Sequence, residues 1–279
     1  GVVNKPEGIN TLISKVISIK ANKWYRLSFS YINVQGTSIG IRFTGGTPTA
    51  GVWVNGTGTQ TIYVLANSGN VNIEVTAINS LGTATIDNVS VQEIGWSGSQ
   101  ELYDGIYAQT TGTDEQKTYA AVKAASMWCH YNNDVAIGAV YGKLYNWFAV
   151  KLLQMDIDYY NTANPTALWG WRVPTQTDFQ TLSTYLGGDA VSGGKLKKDG
   201  LNYWNSPNTG AMNESGFSAI GSGRRRDNGS FENINTQLRL SSLDNGTTSF
   251  RINNSTISAY NELGQINNLF GNSLRLIKS

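Results

Sequence analysis

The chain has 279 residues, of which only 14% are charged, and a formal net charge of +2 at pH 7. That length suits two domains, each able to bury a core without metal or disulfide support, and the near-neutral balance excludes a broad electrostatic surface for nucleic acid or anionic lipid. A single cysteine rules out an intrachain disulfide, and no run approaches the roughly 18 apolar residues of a bilayer span, so no membrane insertion is expected.

The opening "GVVNKPEGIN" lacks the charged start and apolar core of a signal peptide, and its first glycine fits a fragment of something longer. From Lys23 to Ile94 strand follows strand: "WYRLSFSYINV", "SIGIRF", "GVWVNG", "TQTIYVL", "VNIEVTAI", "ATIDNVSVQEI". In "NIEVTAI", Ile73, Val75 and Ala77 share one face and Asn72, Glu74 and Thr76 the other, the period-two pattern of a half-buried strand. Turns rich in Gly and Asn recur about every 8 to 12 residues, as in an antiparallel sandwich. Residues 1–94 are therefore expected to form an all-β jelly-roll sandwich. "KWYRLSFSYIN" and "ATIDNVSVQEI" resemble the carbohydrate-binding kind of β-sandwich module that recurs in secreted glycosidases and phage structural proteins. Trp24, Tyr25 and Trp53 have two readings, stacking on a sugar or filling the core; core packing is the simpler, since large aromatics in a small sandwich are usually buried. Asp87 and Asn88 fit either a structural cation or a local Asx hydrogen bond, the commoner use of such a pair.

Residues 95–100, "GWSGSQ", read as a Gly/Ser hinge, and a second domain of different grammar occupies 101–279. In "TDEQKTYAAVKAASMW", Thr113 is an N-cap candidate with Gln116 three residues on, and Tyr119, Val122 and Ala125 line one side of a predicted helix. Asp156 and Asp158, in "DIDYYN", read as a polar strand edge or loop, with bound calcium as the alternative. In "GWRVPTQTDFQTLSTYLGG", Thr175 can cap a second helix and Asp178 can answer it, while Phe179, Leu182 and Leu186 form an apolar stripe that stops at Gly187. Pro174 disfavours helical geometry at Val173, so Trp171-Arg172-Val173 is predicted extended and the strand hands over to the helix at once.

Taken in order, "YGKLYNWFAV", "GWRVPTQTDFQTLSTYLGG", "GGKLK", "WNSPNTGAMNESGFSAIGSGRR" and "GNSLRLIKS" resemble the Fibrobacter succinogenes major paralogous domain family, from about Cys129 to the C-terminus. The resemblance implies an α+β C-type-lectin-like fold related to the formylglycine-generating enzyme scaffold. That scaffold also carries the variable domains of diversity-generating retroelement targets. The chain departs from the family pattern in "QLRLSSL", where Leu240 stands at the position expected for tryptophan.

The inventory for catalysis is poor. His130 is the only histidine and adjoins Cys129, but sequence neighbours on a strand point to opposite faces and make no dyad. The related oxidases rely on a pair of cysteines, which this chain cannot supply. HExxH, Walker and CxxC patterns are missing, so no enzyme activity and no cofactor are expected, and metal binding stays open. "GRRRD" at Gly223 to Asp227 is the only basic cluster and reads as a solvated loop pairing with local carboxylates, not as a nucleic-acid footprint. The glycosylation-like Asn-Gly-Ser/Thr triplets at Asn55, Asn228 and Asn245 mark turns first.

Binding fares better. In the C-terminal stretch Leu238 and Leu240, Phe250 and Ile252, and Leu274 and Leu276 alternate with polar residues, and asparagine, donor and acceptor on one short stem, is dense. The polar faces of "TQLRLSSLDNGTTSFRINN" and "AYNELGQINN" are expected to converge on one ligand-binding surface. Its candidates are Asn235, Gln237, Arg239, Asp244, Asn245, Ser249, Arg251, Asn253, Tyr260, Asn261, Asn267 and Asn268, with Arg251 and Tyr260 as anchors. The expected role is recognition of a cell-surface receptor, glycan or protein, by the distal part of a phage tail fibre or adhesin on the virion tail, as a homotrimer. The alternative is a secreted or surface-anchored bacterial polysaccharide-binding protein.

Overall fold

The structure, a computed structural model, describes all residues except 1, 5–10, 45, 48–50, 68, 78–82, 167–168, 245–248, 263–266 and 279. The chain divides into two units, Gly1–Thr113 and Asp114–Ser279.

Strict alternation builds the first unit. Tyr25, Leu27, Phe29 and Tyr31 are buried, while Trp24, Arg26, Ser28 and Ser30 between them point the other way. They belong to the long strand β3 (Trp24–Thr44), which joins β1 (Val2–Asn4), β2 (Thr11–Ser18), β4 (Gly46–Thr47), β5 (Gly51–Ala66), β6 (Asn70–Ala77) and β7 (Thr83–Ile94) in one antiparallel network. β3 pairs with β7 along its first half and with β6 from Ile39 to Thr44, with register shifts between. Such bulges bend a strand and let it change partners. One lies beside Asn88, which sits at φ 51°, takes its backbone N–H to Asp87 Oδ1 at 2.8 Å and donates Nδ2 to Ser30 Oγ at 2.9 Å. The Asp87–Asn88 pair is thus a local hydrogen-bonding device. Tyr25 fills the core and Trp24 is half-buried on the opposite face; the side chains of Trp53, Ile73, Val75 and Ala77 lie outside the described residues.

Residues Trp96–Gly98 form a 3-10 turn, with Trp96 buried, that runs directly into α1 (Ser99–Gln109). This helix packs within the first unit. Glu101 Oε1 accepts from Arg26 at 2.7 Å and from the Tyr63 hydroxyl at 3.1 Å. The Gln109 amide meets both backbone groups of Tyr63, each at 2.8 Å, and so imitates a strand on the β5 edge. Gly105 is required for that approach, since a Cβ there would fall 2.1 Å from the Tyr63 ring.

The second unit contains α2 (Asp114–Ala125), β8 (Trp128–Cys129), α3 (Val135–Tyr141), β9 (Leu144–Tyr145), α4 (Trp147–Ala163), β10 (Trp171–Arg172), α5 (Gln176–Tyr185) and α6 (Asp189–Leu196). There follow β11 (Ser222–Arg225), β12 (Phe231–Ile234), β13 (Gln237–Ser241), β14 (Ser249–Asn253), β15 (Ala259–Glu262) and β16 (Ile277–Lys278). The main sheet runs β12-β11-β13-β14-β15, with β11 and β13 parallel. Its apolar face, Leu238, Leu240, Phe250, Ile252 and Ala259, packs with Phe179, Leu186, Leu196 and Trp204, and Phe179 stacks on Phe250 at 4.9 Å between ring centroids.

Both predicted helices form. In α2, Val122 and Ala125 are buried. Asp156 and Asp158 lie within α4, not on the strand edge or loop expected. Asp156 accepts from the Tyr119 hydroxyl at 2.9 Å, and Asp158 from Gln154 at 2.8 Å. Two helical positions two residues apart point about 200° from each other, so these carboxylates cannot share a cation.

The "WRVPTQTD" stretch is a local clasp. β10 ends at Arg172, and α5 opens on a capping box in which Thr175 and Asp178 satisfy each other's backbone N–H. Arg172 forks onto Asp178 with contacts of 2.6 and 2.7 Å, which together with the Thr175 bonds holds that carboxyl well below its usual range. A depressed carboxylate stabilises the fold above its unfolded pKa of about 3.9 and loses that contribution as pH falls through the folded value. Asp178→Asn is expected to cost about 2 kcal/mol at pH 7, with the gap to the unmodified protein closing below about pH 3. Urea titrations at the two pH values check this; a gap that does not change with pH would mean the fork carries no charge-dependent stability.

The glycines of "GGKLK" allow α6 to touch neighbouring backbone. A Cβ on Gly193 would sit 2.2 Å from the Ser258 carbonyl oxygen, and one on Gly194 2.5 Å from that of Gly210. Lys197, with no exposed surface, donates to the carbonyls of Thr209, Asn253, Asn254 and Thr256 at 2.8, 3.1, 3.5 and 2.8 Å. Burial pushes its ammonium down to about 8, so it is charged at neutral pH.

Candidate functional site: the polar face of the C-terminal sheet

Register decides which candidate residues meet. Gln237 pairs with Asn253, Arg239 with Arg251, Ser249 with Glu262, and Arg251 with Tyr260. Laterally paired residues share a face, so Gln237, Arg239, Ser249, Arg251, Asn253 and Tyr260 lie together, with Glu262 among them. Glu262 ties the group: it forms an ion pair with Arg239 and lies 2.6 Å from Arg251 Nε. Arg239 Nε donates to Gln237 Oε1 at 2.7 Å, and Gln237 Nε2 to Asn253 Oδ1 at 3.0 Å. The Arg251 guanidinium stacks 4.3 Å over the Tyr260 ring.

The face continues onto β11. Arg224 reaches it, close enough for its positive charge to push the Arg239 guanidinium down. Arg224 Nε lies 2.5 Å from Glu232 Oε1, and Arg224 and Arg226 approach Phe270 at 5.0 and 5.6 Å. Burial would raise the Glu232 carboxyl, but the hydrogen bond and charge of Arg224, with Arg226 behind them, outweigh it and hold it below its usual value. Arg239, only 8% exposed, is pushed down by burial and propped up by Glu262. The result is a ladder, Glu232–Arg224–Arg239–Glu262–Arg251–Tyr260, in which three guanidinium groups are flanked and bridged by two carboxylates and which ends in an aromatic ring. It presents preorganised guanidinium and aromatic groups.

The other candidates lie elsewhere. Asn261 falls on the opposite face, paired with Phe250, and donates to Gln180 and Asp189 at 3.3 and 3.2 Å. Tyr260 and Asn261 are consecutive on one strand, so they cannot share a face. Asn235 sits in a turn at φ 59° and accepts from the Tyr141 hydroxyl at 2.5 Å. Asp244 accepts from the Gln176 N–H at 2.5 Å, at the start of α5. Asn267 donates to Asp227 at 3.3 Å, and the Asn268 carbonyl accepts from the Trp147 N–H. Asn245 lies outside the described residues. Sequence reasoning missed Glu262, Arg224 and Phe270. A step of two from Tyr260 finds Glu262, whereas no periodicity connects β11 or Phe270 to this face.

The "GRRRD" arginines pair with a local carboxylate as expected, but on a half-buried strand instead of a solvated loop. Burial pushes the Cys129 thiol up to about 11 against the opposing charge of Arg225, so the thiolate is scarce at neutral pH. His130 Nδ1 has no hydrogen-bond partner among the described residues. Among those residues no group of three or more His, Cys, Asp or Glu could hold a metal, and no helix is long and apolar enough to cross a membrane.

The Fibrobacter succinogenes major domain family matches residues 98–278, well over half of the chain. The chain belongs to that family. The whole polar ladder, the α5 clasp and the Lys197 cage lie within the Fibrobacter succinogenes major domain, which also takes in α1. No curated protein matches the chain. Among solved structures, part of the chain is similar to a family 4 carbohydrate-binding module at 18% identity, covering 29% of this chain and 59% of the other, with a TM-score of 0.25. It is also similar to the module TmCBM61 in complex with β-1,4-galactotriose, at 18% identity, 30% and 66% coverage and a TM-score of 0.25. The sugar-binding C-terminal domain of EclA is similar at 12% identity, 33% and 77% coverage and a TM-score of 0.27. The chain thus spans less than two thirds of the first two structures, and at such TM-scores these likenesses carry no weight for fold or ligand.

Proposed function

We propose that this chain is a non-enzymatic recognition protein whose binding surface is the polar face of β13–β14–β15, extended by β11. The observation that carries the reading is the Arg251–Tyr260 stack beside the Arg239–Glu262 pair: guanidinium and aromatic groups, the residue types that dominate interface energies, are aligned on one face. The raised thiol of the half-buried Cys129 fits this reading better than thiolate chemistry at that residue. In this reading residues 1–94 are a jelly-roll spacer and residues 101–279 a C-type-lectin-like tip. The whole is the distal part of a phage tail fibre or adhesin, trimeric and carried on the virion tail, and it contacts a cell-surface glycan or protein.

Replacing Arg251 and Tyr260 together by alanine is expected to weaken attachment to a panel of bacterial cells by at least about 30-fold, since each true anchor contributes about 2 kcal/mol. The melting temperature should move by only a few degrees, and the unmodified protein should sediment as a trimer. Full attachment by the double variant, with loss in Trp24→Ala, would put the surface in the other unit and sink the assignment.

A further inference from the structure

Apart from the ladder the second unit contains a cleft of about 580 Å³, walled by Trp128, Tyr145, Leu152, Leu153, Leu274 and Leu276, with Lys123 and Asp156 also in its lining. That volume lies within the ~300–1,000 Å³ usual for ligand pockets. Trp128 is 53% exposed although it is the largest apolar group there, and the Lys143 ammonium lies 3.5 Å over its ring.

Backbone pairing joins the cleft to the ladder. Trp128 pairs with Tyr145, and Tyr145 with Asn272 through bonds of 2.8 and 3.1 Å. One residue on, Ser273 pairs with Leu240, through bonds to Ser241 N–H and the Arg239 carbonyl, each 3.0 Å. Since lateral partners share a face and successive residues alternate, Ser273 lies on the apolar side with Leu240. Trp128, Tyr145, Asn272 and Leu274 therefore lie on the side of Arg239. One hydrogen-bonded ribbon carries an aromatic, leucine-walled cleft at one end and the arginine–glutamate ladder at the other, on the same face.

We infer that the cleft seats an apolar side chain of a protein partner, and that the receptor met by this face is a protein. The inference rests on the recognition reading above and selects between its two receptor classes. Leucine walls favour this occupant because a sugar pushed among them would leave hydroxyls without partners, whereas a Leu, Phe or Trp side chain loses only apolar surface to water. The charged Lys123 and Asp156 in the lining suit the polar backbone that such a side chain brings with it.

Saturation-transfer NMR on the full chain tests it, with N-acetyl-leucinamide and N-acetyl-tryptophanamide as probes and methyl β-galactoside and methyl β-glucoside as controls. The amides are expected to receive saturation from the unmodified protein, at least tenfold less from Trp128→Ala and Leu153→Glu, and the same from the Arg251→Ala/Tyr260→Ala double variant. If either cleft variant fails to fold, the Trp128 indole resonance of the unmodified protein serves instead and should shift on amide titration. Equal saturation of the glycosides, no saturation of the amides, amide binding that survives both cleft changes, or an unmoved indole resonance each overturns the inference. The probes need no receptor, so failure here leaves the ladder assignment to the attachment assay, and failure there leaves the cleft result standing.

Discussion

Lys197→Met is expected to destabilise the second unit by about 4 kcal/mol, because it removes a fully buried cation from the four half-buried carbonyls that share it. The methionine fills nearly the same volume, so the loss isolates the hydrogen bonds from the packing. The carbonyls belong to Thr209, Asn253, Asn254 and Thr256, which places the ammonium at the meeting point of a long loop and the end of β14. Without it the loop loses its anchor, and the backbone groups must stay unpaired or the chain must open to admit water. Urea denaturation followed by tryptophan fluorescence measures the change, since Trp204 lies 5.9 Å from the ammonium. A loss below about 1 kcal/mol would mean that the cage is open to solvent and the lysine replaceable.

Glu262→Gln is expected to cost about 3 kcal/mol, although it changes a single atom, because it removes the carboxylate that pairs with both of two guanidinium groups in direct cross-strand register. Arg239 and Arg251 would then face each other with a neutral amide between them, at a site where burial already presses on the Arg239 charge. The pair is little exposed, so salt should restore only a small part of the loss. Adding Arg239→Gln to the Glu262→Gln chain should recover about half of it, the sign of a coupled network. A Glu262→Gln chain within about 0.5 kcal/mol of the unmodified protein would show that the ladder is solvated and contributes nothing to the sheet.

Short-range rules read well. The capping box at Thr175 and Asp178, the extended approach forced by Pro174, and the alternation through Tyr25, Leu27, Phe29 and Tyr31 each involve residues a few positions apart. The same period-two rule found most of the ladder face and, applied one step further, separates Asn261 from Tyr260 and adds Glu262. It failed for Asp156 and Asp158, since a short polar run has no period of its own and the apolar positions that make α4 a helix lie on either side of it.

By itself, then, the sequence determined the family, the all-β character of the first strands, the clasp at α5 and the inward side of β13 and β14, all consequences of local sterics and hydrogen bonding. Only the tertiary structure decided that Arg224 and Phe270 extend the ladder, that four distant carbonyls close on Lys197, and that Trp128 and Tyr145 reach the face of Arg239 through residues 272 and 273. These are pairings between segments tens of residues apart. Their register is set by burial of the whole sheet, which no short window of sequence records.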